Sequence, residues 1–152
     1  MRAVTVSVSY GEAADKISIL EIKQARIADA HKRANVAREL ALLTAAFDGA
    51  LPPAFKPAPP PSPAPASSAA PFDAPSSAIA LDALRARLKA VNETLWDIED
   101  DIRLHEARGD FGGGFVRLAR AVYTTNDERA RLKREIDALL GSELVEEKSY
   151  GG

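Results

Sequence analysis

Residues 81–139 read LDALRARLKAVNETLWDIEDDIRLHEARGDFGGGFVRLARAVYTTNDERARLKREIDAL, and this stretch decides the fold. Leu81, Leu84, Leu88, Val91, Leu95, Ile98, Ile102 and His105 recur at alternating spacings of three and four. That is a heptad stripe along one helix. Gly109 ends it, and Asp110-Phe111-Gly112-Gly113-Gly114 makes a turn. Phe115, Leu118, Val122, Thr125, Arg129, Leu132, Ile136 and Leu139 then repeat the pattern up to Gly141. The two stripes fit one antiparallel register: His105 opposes Phe115, Leu88 opposes Leu132, and the layers between keep step. The weak point is Tyr123-Thr124-Thr125-Asn126, whose helix propensity is poor. Thr125 and Glu128 also have capping-box spacing, so the alternatives are a break into two helices there and a continuous or gently kinked arm, the second being expected.

Upstream, Val4, Val6 and Val8 alternate with small polar residues, which predicts a short half-buried strand. Ser9 and Glu12 have the spacing of a capping box, so a helix follows from about Gly11. Ile17, Leu20 and Ile27 form one stripe on it and Ile19 and Ile22 a second, as expected of a helix touched on two sides. Asp29 caps a further helix with the stripe Val36, Leu40, Leu43 and Phe47, stopped by Gly49 and Pro52-Pro53. All ten prolines lie between Pro52 and Pro75. Such a tract has too few large apolar residues for a core and reads as a disordered linker over 52–77.

The expected architecture is mainly all-α. A strand and first helical hairpin (1–51) and a long second hairpin with its tail (78–152) form one domain, packed as a helical bundle. The tail after Leu144 is expected to pair as a strand with Val4–Val8 or to wrap an end of the bundle.

Composition excludes several functions. With no cysteine there is no disulfide framework, thiolate metal site or cysteine nucleophile. No apolar run approaches the roughly 20 residues of a membrane span, and the first 16 residues lack the apolar core of a signal peptide. A cytoplasmic protein without membrane insertion is expected. The net charge of −2 gives no excess of Lys and Arg for phosphate neutralisation, so nucleic acid is not an expected partner.

Chemistry is sparse. Arg129 occupies a seam position beside Thr125, where a guanidinium needs an acceptor. Asp15, Glu21, Glu93 and Glu99 are the candidates. With Asn92, Trp96, Arg103, Arg120, Tyr123 and Asn126 these residues suggest a polar pocket in the bundle, suited to an anionic ligand. The competing reading is a buried ion pair that fixes register or docks the two hairpins. Trp96 reads more readily as packing between hairpins than as a ligand platform. Glu93, Asp97, Glu99, Asp100 and Asp101 form a solvated, salt-bridged face rather than a cation site, because like charges four residues apart repel. His31 and His105 are isolated, Ser18 and Ser142 lack a triad, and the glycine run lacks a phosphate-loop Lys. No catalytic residue, metal or cofactor is expected.

Four segments carry a resemblance. They are Gly11-Glu12 with Asp15 to Lys23; Asn92-Glu93 with Leu95-Trp96, Ile98-Glu99-Asp100 and Ile102-Arg103; Ala119-Arg120 with Val122-Tyr123 and Asn126 to Ala130; and Val145 to Tyr150. Together they resemble a family of short bacterial and phage proteins classed as a domain of unknown function, over nearly all of the chain outside the proline tract. The resemblance implies that the tract is an elaboration, since members have a short connection there. It supplies no activity and hence no catalytic residue. Some members sit beside genes for envelope-polysaccharide or glycosyltransferase work, which implies an accessory role there. The functional expectation is a non-enzymatic helical interaction or scaffold protein, engaging a protein partner or a second copy. The alternative is a small anionic-ligand binder or enzyme.

Overall fold

The computed structural model describes residues 3–56, 76–145 and 147. Among them the chain forms helices α1 (Tyr10–Arg26), α2 (Ala30–Ala50), α3 (Ser76–Arg108) and α4 (Gly113–Leu140), with a single 3-10 turn at Pro53–Phe55. The caps are those the sequence encodes. The Ser9 hydroxyl accepts the Glu12 amide at 3.1 Å, and the Asp29 carboxylate accepts the Lys32 amide at 2.8 Å. At the hairpin turn Gly109 takes a φ of 64°, open to glycine without steric cost.

Helix α4 runs unbroken through Tyr123–Asn126. The Thr124 hydroxyl folds back onto the carbonyls of Ala121 and Arg120, at 3.2 and 3.3 Å, so its hydrogen bonds stay inside the helix. The antiparallel register is visible at its last layer, where the His105 and Phe115 rings stand 6.4 Å apart. Lower down, Leu88 and Leu132 are both fully enclosed in the core with Ile17, Leu81, Ile136 and Leu140. Burying each such side chain is worth about 1.5–3 kcal/mol. On the outside, Arg87 spans Glu128 and Glu135 across the seam. Arg131 hydrogen-bonds Glu128 and holds its carboxyl below the usual carboxylate range, helped by Arg87. That contribution is present at neutral pH and fades as acid protonates Glu128, and solvent keeps it small.

The two hairpins meet through α1. It runs parallel to α3 and antiparallel to α4, in the groove between them, and α2 packs mainly on α1, reaching α3 where the Arg85 guanidinium lies over the Phe47 ring, 5.1 Å from its centre. Phe47 and Leu51 carry the end of α2 into the core, with Tyr10 edge-on to Phe47 and its hydroxyl donating to the Ala50 carbonyl at 2.6 Å.

The expected strand at Val4–Val8 is a correction. No described residue is in a strand, and Val4 is 91% exposed. A strand needs a second backbone for its N–H and C=O groups, and the described tail residues Leu144 and Val145 do not supply one. The rest of the expected pairing, residues 146 and 148–152, lies outside the described residues. So does most of the expected linker, residues 57–75. At its near end the Pro53–Phe55 turn packs against α3, with Phe55 on the core. Truncating Phe55 to alanine should therefore cost about 1–2 kcal/mol, read as a lower urea midpoint at unchanged slope.

Candidate functional site

The centre of the groove is polar. Asp15, on the face of α1 turned into the hairpin, is almost completely buried. Arg129 grips it with two parallel hydrogen bonds, Nε to Oδ1 at 2.8 Å and a terminal nitrogen to Oδ2 at 2.5 Å. This two-pronged geometry matches guanidinium to carboxylate. The Asn92 amide donates to Asp15 Oδ1 at 2.8 Å and to Ser18 Oγ at 2.7 Å, and Ser18 donates in turn to the Asp15 carbonyl at 2.8 Å. Three helices are thereby tied at one level, and each named polar group is satisfied.

A second polar contact lies nearer the start of α1. Gly11 donates its amide to Asp137 Oδ1 at 2.6 Å, and Lys133 reaches Glu12 at 2.6 Å. Asp137 thus serves as an extra cap from another helix, where a carboxylate also meets the positive end of the helix dipole. Its other oxygen is buried without a hydrogen-bond partner among the described residues. The approach is so close that a Cβ on Gly11 would stand 2.3 Å from the Lys133 carbonyl oxygen.

Toward the hairpin turn α1 ends at Arg26, and an open cleft of about 530 Å³ begins. It is lined by Ile19, Leu95, Asp100 and six of the residues singled out in the sequence: Asn92, Trp96, Glu99, Arg103, Asn126 and Arg129. Arg26 lies over the Trp96 ring, 5.8 Å from its centre, and bonds Asp97 at 2.5 Å. That hydrogen bond, with the charges of Asp97, Glu93 and Asp100, raises the Arg26 guanidinium above its ordinary value.

The other candidates fall elsewhere. Asp15 sits behind Arg129 and does not line the cleft; Glu21 pairs with Lys89 at 3.5 Å; Arg120 and Tyr123 are exposed on α4, outside it. Both guanidinium groups of the cleft face carboxylates, Arg129 facing Asp15 and Arg103 facing Glu99 at 3.7 Å, and Asp100 adds a further acid to the lining. The acidic run on α3 gathers no trio of carboxylate or imidazole side chains at metal-binding distance among the described residues.

Heptad reasoning stopped at the α3–α4 seam and missed Gly11, Lys133 and Asp137. A signal for the last two was present one residue further along each arm. Val116, Ala119, Tyr123, Asn126, Ala130, Lys133 and Asp137 form a second stripe at spacings of three and four, and Asp82, Arg85, Lys89, Asn92, Trp96, Glu99 and Arg103 form its counterpart on α3. The lower half of each stripe lies under α1: Lys133 and Asp137 through hydrogen bonds, Asp82, Arg85 and Lys89 beside Ala14, Ile17 and Glu21. The upper half is open, with Tyr123 56% and Val116 49% exposed. No described helix is long and apolar enough to cross a membrane. No family model, curated protein or solved structure matches the chain.

Proposed function

We propose that this chain is a cytoplasmic, non-enzymatic interaction module whose working surface is the projecting end of the α3–α4 hairpin. One observation carries the reading: the groove that α1 fills at its lower end runs on past Arg26 with no cover from the described residues, still bearing apolar side chains at heptad spacing. Groove-docked helices are a recurrent mode of protein recognition. An anionic ligand in the cleft is less well supported. Both guanidinium groups that line it stand against carboxylates, and Arg120 lies outside it.

The test is a photo-crosslinking amino acid placed at Ala119 of the full chain in its native cells, with Arg117 as the control position. Ala119 lies on the open stripe, whereas Arg117 lines a different depression with Leu104 and His105. Discrete adducts from position 119 and not from 117 are expected. Equal labelling from both, or none, would contradict the proposal.

A further inference from the structure

We infer that the turn end of the α1–α2 hairpin binds the phosphate backbone of a nucleic-acid duplex through Lys23, Lys32, Arg33 and Arg38. This surface is separate from the α3–α4 arm and stands or falls independently of it.

The whole-chain charge of −2 hides a local excess. Between Lys23 and Arg38 stand five Lys and Arg residues and one acid, Asp29, a net of +4 that leaves −6 for the remainder. Arg26 is used inside the fold, bonded to Asp97. Lys23, Lys32, Arg33 and Arg38 form no ion pair with any described residue, and the last three are exposed. Glu39, the next acid along α2, is taken by Lys16. The acidic row of α3 acts on Arg26 through Asp97, Glu93 and Asp100. It does not reach the start of α2, which packs on α1 and meets α3 only at its far end, by Phe47.

These charges also stand where the fold gains nothing from them. Lys32 and Arg33 lie in the opening turn of α2, at the positive end of its dipole, where acidic side chains are the favoured ones. The cap Asp29 is the single acid there, and its carboxylate accepts the Lys32 amide at 2.8 Å. Basic side chains kept against the local preference, with no ion pair to offset them, mark a site that serves something outside the fold.

Chemistry selects the partner. No Phe, Tyr or Trp lies between Lys23 and Arg38, so unpaired bases have no platform on which to stack. None of the exposed large apolar side chains lies there either, and a basic patch without an apolar anchor holds a bilayer only marginally. Lys32, Arg33 and Arg38 point about 100–140° apart around the axis of α2. Cations on several sides of one narrow helical end suit the two phosphate walls of a major groove, about 12 Å apart, better than a flat acidic surface. Contacts confined to phosphates carry no base sequence, so the binding is non-specific.

The test is fluorescence anisotropy of a labelled DNA duplex of about 20 base pairs with the full chain, from about 50 to about 200 mM salt. Four phosphate contacts predict a slope of about −3.6 in log K against log salt, a loss of roughly a hundredfold over that range. Lys32→Ala with Arg33→Ala should bring the slope to about −2 and weaken binding at least tenfold at the low salt. Its melting temperature should be no lower than the parent's, because α2 loses charges that oppose its dipole. Arg38→Ala alone should bring the slope to about −2.7. Arg87→Ala with Arg131→Ala removes cations already paired with Glu128 and Glu135 and should leave duplex binding unchanged. A dissociation constant weaker than about 1 mM at the low salt, or binding that the Lys32 and Arg33 variant does not weaken, overturns the inference. Anionic-lipid vesicles or polyglutamate bound more tightly than the duplex also overturn it, in favour of a membrane or an acidic protein respectively.

Discussion

Replacing Asp15 with alanine is expected to lower the melting temperature by about 10–20 °C. The carboxylate is the hub of the only level at which α1, α3 and α4 share one set of hydrogen bonds among the described residues. Without it the Arg129 guanidinium keeps a partly buried position and loses both prongs of its grip, and Asn92 loses one acceptor. Removing one partner of a buried pair costs about 3–5 kcal/mol, far more than the pair's net worth, because the remaining charge stays out of water. For a domain of this size each kcal/mol moves the midpoint by several degrees. Asp15→Asn should fall between, since an amide can still accept from Arg129 but carries no charge. The measurement is thermal unfolding by circular dichroism, with refolding checked on cooling.

Gly11→Ala is the second large effect, and it involves a single methyl group. The added Cβ would lie 2.3 Å from the Lys133 carbonyl oxygen and 2.8 Å from its carbon. Both are backbone atoms of α4 and cannot rotate away, so α1 must lift off the groove and the Gly11 amide must leave Asp137. A loss of about 3 kcal/mol is expected, at the upper end of overpacking costs. Gly49→Ala provides the contrast. Nothing lies within 4 Å of the added atom, and the site is in α2, where alanine is the better helix former. That variant should gain up to about 1 kcal/mol. Opposite signs for one chemical change at two helical glycines would separate close packing from propensity.

Much of the architecture was legible because it is written in local patterns. The seam from Leu81 to Leu139, the caps at Ser9 and Asp29 and the stops at Gly109 and Gly141 each follow from spacing or backbone preference, and each is present. The polar centre was legible in half. Arg129 on an apolar stripe demanded an acceptor, but four carboxylates were available, and choosing Asp15 depends on how deep and in which direction α1 sits. The Gly11 contact was not legible, because a glycine in a helix signals close approach without saying to what. Val4, Val6 and Val8 misled for the complementary reason: alternation states a preference for the extended chain, and only a neighbouring backbone turns that into a strand. The open stripe was hidden by the better one beside it. Tyr123 read as a pocket residue near Arg129 and Ala119 only as part of the resemblance, although their spacing from Val116 to Asp137 already marked a face.

The central claim is that the Asp15–Arg129 pair is a structural lock that seats α1 and leaves the arm beyond it as the working surface. The most direct test is the thermal unfolding of Arg129→Leu beside the double variant Asp15→Leu with Arg129→Leu. The single variant strands a buried carboxylate and should melt about 10–20 °C below the parent. The double variant removes both charges and should recover a substantial part of that loss, as replacement of a buried pair by apolar side chains does elsewhere. An Arg129→Leu protein that melts at or above the parent temperature would contradict the account. It would mean that the guanidinium is held at a cost to stability, as a group kept for chemistry rather than for the fold.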